Sequence, residues 1–311
     1  MEGFFEFKSC TGEKISARKW IDKDFKEYKG VIQLVHGMQE HIGRYSEFAE
    51  FLASNGYIVI GHDHLGHGKT AKTKKDFGFF ADKNGWDKLV EDVHILQNTI
   101  HNEYPNFPYI IMGHSMGSLI VRTYVTKYND KLDGIIISGT SGQHTMLNSG
   151  MLLIKLISLF KGKRYNSKLI DKLVTGSFNK KFKPNRTTSD WLSSDEQAVD
   201  KALEDKLFGI PFSLQAYYDL LSGTKYLSKQ KSIDKTPIDI PILIFSGRND
   251  PVGENGKGVL RVYNMLKKND KRNVYLRLFE NGRHEMLNEV NKLEVYNFIL
   301  DWIDKQVLKK N

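Results

Sequence analysis

Short apolar runs and amphipathic helical patterns take turns along most of this chain, and that alternation limits the fold more than any single residue does. The runs are Val31 to Val35 (VIQLV), Tyr57 to Ile60 (YIVI), Tyr109 to Met112 (YIIM), Gly134 to Ser138 (GIIIS), Ile242 to Ser246 (ILIFS) and Val274 to Phe279 (VYLRLF). They are too short for helices, and runs that stay apolar at consecutive positions suit strands covered on both faces. Between them lie helical patterns. Tyr45 to Ala53 puts Tyr45, Phe48, Ala49 and Leu52 on one face, with Gly56 as a stop signal; a longer pattern carries Trp86, Leu89, Val90, Val93 and Ile100 and closes at Tyr104 and Pro105. Met116 to Lys127, Gly258 to Leu266 and Val295 to Val307 follow the same rule, while Phe4 to Ile21, turning at Thr11 and Gly12, reads as a β-hairpin. Strands alternating with helices predict an α/β protein, a mostly parallel sheet with helices on both faces. The alternation lapses between Ser141 and Thr236, so residues 141–236 read as a helical insertion between two pieces of one core, 1–140 and 237–311.

One motif sits at a strand-to-helix junction. In YIIMGHSMGSLI, Gly113, Ser115 and Gly117 form G-x-S-x-G. A sharp turn there holds the serine in a strained conformation, and glycine on each side removes Cβ atoms that would collide. Alone the motif is weak, since at about 7% glycine it arises by chance in roughly one chain in ten of this length. Its position between an apolar strand and a helix pattern is what marks Ser115 as a nucleophile.

A serine nucleophile needs a base, and the base an orienting acid, in the chain order Ser, Asp or Glu, His. Only His144 and His284 follow Ser115. His144 lies in a polar loop where the insertion begins, whereas His284 follows the last strand through Asn281, Gly282 and Arg283. Asp250 ends the strand IPILIFSG through Gly247, Arg248 and Asn249, and precedes Pro251. Taken singly, an Asp before Pro is a turn residue. Jointly, Ser115, Asp250 and His284 all sit just past predicted strand ends, in the required order. His284 would take the Ser115 proton and Asp250 would fix the imidazole tautomer. An oxyanion hole is expected from the amide of Met116, just after the nucleophile, and from that of Met38, in the loop beginning His36-Gly37, where Gly37 permits an unusual turn.

HGMQEHIGRY, GHDHLGHGKT, GHSMGS and GRHEM together resemble the monoacylglycerol lipase and lysophospholipase branch of the α/β-hydrolases, related to the serine aminopeptidases. The resemblance covers residues 25–140 and 237–305. It implies an eight-stranded sheet with a helical cap inserted after the sixth strand. It also implies a triad of Ser115, Asp250 and His284, with Met38 and Met116 as oxyanion donors. Met38 stands where the family usually has a small residue. A carboxylic-ester hydrolase is expected, acting on monoacylglycerol or lysophospholipid acyl esters; a serine aminopeptidase or short-chain carboxylesterase is the alternative.

Other classes are weighed by composition. With 46 Lys and Arg against 37 Asp and Glu, the net charge is +9. Ten basic residues and one acid, Asp171, lie between Lys155 and Arg186, so the excess is a single local segment and no nucleic-acid partner is expected. That segment, with the apolar stretch Met146 to Phe160, reads either as a helix packed on the core or as an element meeting anionic membrane over 146–186. One cysteine, Cys10, excludes an internal disulfide, and no basic leader precedes Glu2 and Glu6, so a cytoplasmic protein, membrane-peripheral at most, is expected. No G-x-G-x-x-G follows a strand, so no cofactor is expected. A metal hydrolase is the strongest rival: His36, His41, His62, His64 and His67 are five of ten histidines. However, the H-x-H-x-D-H run of such enzymes needs Asp where this chain has Gly66, and a Gly-rich loop with locally bonded imidazoles is the competing reading. A non-catalytic binding protein on a hydrolase scaffold is the other alternative, and such proteins commonly lack a triad member.

Overall fold

The computed structural model describes residues 1–128, 131–142, 147–268 and 273–308. Eight strands, β1 (Glu2–Lys8), β2 (Lys14–Trp20), β3 (Gly30–Val35), β4 (Tyr57–His62), β5 (Tyr109–His114), β6 (Gly134–Ser138), β7 (Ile242–Gly247) and β8 (Val274–Phe279), form one sheet in the order β1-β2-β4-β3-β5-β6-β7-β8. β1 and β2 make the expected hairpin, and β2 is antiparallel to β4; all later neighbours are parallel.

Both faces of β3 to β7 are buried, and this is why their sequences read as apolar runs, whereas the edge strand β8 alternates buried and exposed positions. Val31, Ile58, Ile60, Ile111, Ile135, Ile137 and Ile244 face one cluster, with α2 (Gly85–Glu103) and α3 (Met116–Tyr124). Ile32, Leu34, Val59, Ile110, Met112, Ile136 and Phe245 face the other, with α1 (Ser46–Ala53) and α10 (Lys292–Gln306). The alternation is the period-2 geometry of a strand, and each fully buried aliphatic side chain contributes about 1.5–3 kcal/mol. Gln33 is one of the few polar residues buried in these strands. It donates to the Val93 carbonyl (3.1 Å) and accepts from the Tyr109 hydroxyl (2.6 Å), so its burial leaves no amide group unpaired.

Between β6 and β7 the described chain contains no strand; its α-helices are α4 (Leu147–Lys161), α5 (Lys168–Thr175), α6 (Glu196–Glu204), α7 (Leu214–Leu227) and α8 (Gln230–Ile233), joined by irregular stretches. After β7, α9 (Lys257–Lys267) precedes β8. From β3 the chain moves outward to β4, then crosses back to place β5 on the other side of β3. Strand order reverses between β3 and β5, and the carboxyl ends of such a pair frame a crevice in open α/β sheets. The loop beginning at His36 and the turn at Ser115 both open there.

Candidate active site

Ser115 occupies the turn from β5 into α3 at φ 52° and ψ −120°, a sparsely populated conformation for a residue with a side chain. The flanking glycines are required by space. A Cβ on Gly113 would lie 2.3 Å from the Gly117 carbonyl oxygen, and one on Gly117 would lie 2.0 Å from that of Val35. Ser115 donates its backbone N–H to Ser138 O (2.9 Å), which ties the turn to β6. Met116 opens α3, so its N–H has no acceptor within the helix and lies at the positive end of the helix dipole.

Asp250 and His284 meet although 34 residues separate them: His284 Nδ1 donates to Asp250 Oδ1 at 3.0 Å. Asp250 Oδ1 also accepts from the Val252 N–H (2.9 Å), and Oδ2 from the Ser246 hydroxyl (2.9 Å). Accepting on Asp250 places the proton of the neutral imidazole on Nδ1 and leaves Nε2 free to act as a base. Burial by itself pushes the His284 pKa down. The charge and hydrogen bond of Asp250, with Glu285 and Glu40 adding to them, outweigh burial and hold the imidazole above its ordinary value. Burial raises Asp250, but the His284 partner, Ser246 and the Val252 N–H bring it below the usual carboxylate range. The His284 ring lies 4.7 Å from that of His114, the residue before Ser115. Among the described residues Ser115 Oγ makes no hydrogen bond to His284, and catalytic hydrogen bonds are often long without substrate.

The loop after β3 is organised differently from the sequence expectation. Gly37 does not adopt a positive φ; Gln39 does, at 59°. Gly37 is needed instead because a Cβ there would lie 2.7 Å from Glu40 Oε1 and 3.1 Å from Ser115 Cβ. His36 then sets the direction of the next peptide. The His64 N–H donates to His36 Nε2 (3.0 Å), so the proton is on Nδ1, which donates to the Gly37 carbonyl at 2.8 Å. That carbonyl and the Met38 N–H belong to one planar trans peptide, so fixing the first fixes the second.

His36, His62, His64 and His67 pack ring against ring below this loop, with centroids 4.1 Å apart for His36 and His64 and 4.9 Å for His62 and His64. Among the described residues no group of three or more His, Cys, Asp or Glu is arranged to hold a metal ion. His41 is separate and bonds Asp205 Oδ2 through Nε2 at 2.6 Å.

His144 lies outside the described residues. The insertion supplies contacts that no sequence pattern marked. Trp191 lays its ring 5.1 Å from that of His284, and the Glu285 N–H donates to Leu192 O at 2.7 Å. Gln39 O accepts from the Gly209 N–H (2.8 Å), so the insertion also touches the β3 loop. A cavity of about 870 Å³ opens between α2, α3, α4 and α7, lined among others by Trp86, Leu152, Leu156, Leu159, Tyr218 and Asp219. Ser115, Asp250 and His284 do not line it. Thr123, which does, lies eight residues along α3 from Ser115, about 12 Å at the α-helical rise.

Comparison with known proteins sharpens this picture. A monoacylglycerol lipase of Mycolicibacterium smegmatis is 25% identical over 279 residues, covering 88% of each chain. A thermostable carboxyl esterase from Bacillus coagulans, solved with glycerol, superposes at a TM-score of 0.91 with 29% identity, covering 98% of this chain and 99% of that one. A soluble variant of the Saccharomyces cerevisiae monoglyceride lipase, in complex with a substrate analogue, superposes at 0.77 with 20% identity, covering 98% and 95%, which is a likeness of fold. The family model described as serine aminopeptidase, S33, matches residues 26–291. A match of that extent, on an eight-stranded sheet with a serine elbow, means that this chain belongs to the serine aminopeptidase S33 family of α/β-hydrolases.

Proposed function

We propose that the protein is a serine esterase that cleaves acyl esters of monoacylglycerol or lysophospholipid type, with Ser115, His284 and Asp250 as the triad. The observation that carries the reading is the buried Asp250–His284 hydrogen bond beside the strained Ser115 turn. His284 Nε2 takes the Ser115 proton as Oγ attacks the ester carbonyl carbon. The resulting oxyanion is met by the Met38 and Met116 N–H groups. Collapse expels the alcohol oxygen, which receives the proton from His284 and leaves an acyl-Ser115. Water, deprotonated by His284, then attacks the acyl carbon; collapse expels the Ser115 oxygen, which takes that proton back from His284, and the carboxylic acid leaves. Asp250 stays ionised throughout and stabilises the imidazolium.

Residues 141–236 act as the cap over this site; the Trp191 and Leu192 contacts to the His284 loop support that role. The lipid character of the substrate is supported by α4. Only Leu147 and Ile154 of that helix are buried, while Leu159 and Phe160 are 79% and 86% exposed. Turnover of monoacylglycerols of graded chain length is expected to exceed that of an aminoacyl amide and of acetyl esters. A preference for the aminoacyl amide would overturn the lipid reading and favour the peptidase one.

The exposed leucines of α4, and Leu169 and Leu173 of α5, are close in sequence to Lys161, Lys163, Lys168 and Lys172. An apolar face flanked by cations suits the headgroup region of an anionic bilayer. No described helix is long and apolar enough to cross a membrane. Binding to vesicles of anionic lipid is therefore expected to exceed binding to neutral ones, and to weaken as salt is raised. Equal sedimentation with both vesicle types would remove this part of the proposal.

A further inference from the structure

Arg44 is the hub of a buried network that the reaction above does not use. Its Nη1 lies 2.9 Å from Glu40 Oε2 and 2.7 Å from Glu285 Oε1, and its Nη2 lies 2.8 Å from Glu285 Oε2. All three side chains are at most 10% exposed. Each carboxylate grips a different part of the site. Glu40 Oε1 accepts from the Gly37 N–H at 2.6 Å, behind the Met38 peptide, and from the Tyr45 hydroxyl at 2.8 Å. Glu285 directly follows His284, and its Oε2 also accepts from Asn288 Nδ2 at 2.9 Å. The guanidinium stacks 4.6 Å from the ring of Phe208, in the insertion.

We propose that Glu40, Arg44 and Glu285 form a positioning bridge that sets the oxyanion loop and the base loop relative to each other, and whose net negative charge favours the imidazolium formed when His284 accepts the serine proton. The inference rests on the proposed triad and deepens it. Two carboxylates share one guanidinium, so with both ionised the three groups carry one uncompensated negative charge. A buried ion pair is commonly no more stabilising than apolar residues of the same shape. Stability alone therefore does not account for three buried charges at this place. A bidentate Arg–carboxylate pair does fix distance and angle. Here it fixes them between loops that follow β3 and β8, strands at different places in the sheet.

The charged and titratable groups facing His284 are Asp250 from the β7 loop, Glu285 from its own loop, Glu40 from the β3 loop and His114 from the end of β5. Of these, Asp250, Glu285 and Glu40 hold the imidazole up. Glu285→Gln keeps the shape and a hydrogen-bond acceptor for Arg44 while removing one anion. His284 must be neutral to act as a base, so kcat/KM of the wild type falls on the acid side as His284 becomes protonated. In Glu285→Gln this acid limb is expected to move to lower pH by about half a unit or more, with kcat at neutral pH reduced several-fold and KM nearly unchanged. Glu40→Gln is expected to weaken a trifluoromethyl ketone inhibitor, whose adduct carries an oxyanion, by about tenfold, and to raise KM less. Circular dichroism melts accompany each variant. An unmoved acid limb together with unchanged inhibitor affinity, in folded variants, would overturn the bridge while leaving the triad intact. A wild type whose Ser115 is inert to a fluorophosphonate probe would overturn the triad itself.

Discussion

Ser115→Ala is expected to lower kcat on an acyl ester by about a millionfold and to abolish labelling by a fluorophosphonate probe. The size follows from what the serine does. Without Oγ there is no acyl intermediate, and only the amides of Met38 and Met116 and the binding surface remain to assist water. Such remnants leave about 10³–10⁴ over the uncatalysed rate. His284→Ala is expected to match it closely, because a serine hydroxyl with no base to take its proton contributes little. The Ser115→Ala, His284→Ala double variant should then be scarcely slower than either single one. Asp250→Asn is expected to cost about 10⁴, since an amide facing His284 Nδ1 favours the wrong tautomer. Multiplicative losses in the double variant would mean that the residues do not act as a unit. Full activity in Ser115→Ala would remove the serine mechanism and favour the rival reading built on His62, His64 and His67.

The parts of this site that the sequence reveals are those set by local rules. Gly113 and Gly117 announce the turn because a Cβ at either position meets backbone at 2.3 Å and 2.0 Å. Asp250 and His284 were identifiable from their places past the ends of β7 and β8, since strand ends on a parallel sheet share one edge. At Gly37 contact with Glu40 and Ser115, and not the unusual turn that the sequence suggests, excludes a side chain. Trp191 and Leu192 gave no signal at all. Their approach to His284 depends on how an irregular stretch between α5 and α6 packs, and no periodicity encodes that. Arg44 and Glu285 are 241 residues apart, and neither charge differs in sequence from the many that remain in solvent. For α4, sequence allowed a helix packed on the core or an element meeting anionic membrane; Ile154, with the half-buried Leu153 and Ile157, packs on the core, while Leu152, Leu156, Leu159 and Phe160 stay exposed.

Acid is expected to unfold this protein more steeply than a domain of its size normally unfolds, and the histidines below the oxyanion loop are the cause. Burial drives His62 down to about 3 and His67 to about 4, and holds His36 and His64 well below the ordinary histidine value; His114 lies at about 3 for the same reason. In the unfolded chain each titrates near 6.5. Above that pH both states are neutral and nothing is lost. Below it the unfolded chain takes up protons that the folded one refuses, so stability falls with falling pH by about 1.4 kcal/mol per pH unit for each such group. Buried carboxyls oppose this: burial raises Asp219 to about 7 and also raises Asp92 and Glu40, so these gain protons in the folded state first. Asp219 offsets one of the five groups and the raised Asp92 and Glu40 offset part of the rest, which leaves a net loss of about a few kcal/mol per pH unit below about pH 6.5. Folded domains have only about 5–15 kcal/mol in total. Urea midpoints followed by circular dichroism should therefore drop sharply between pH 7 and pH 5. His62 isolates the cause, because among the described residues neither of its ring nitrogens has a hydrogen-bond partner, and Phe7 packs edge-on at 5.5 Å. His62→Phe keeps a planar ring and removes the titrating group. Relative to wild type it should gain about 2 kcal/mol on going from pH 7.5 to pH 5, whatever the repacking costs at neutral pH. Stability curves for the two proteins that stay parallel across that range would show that His62 does not drive the acid transition.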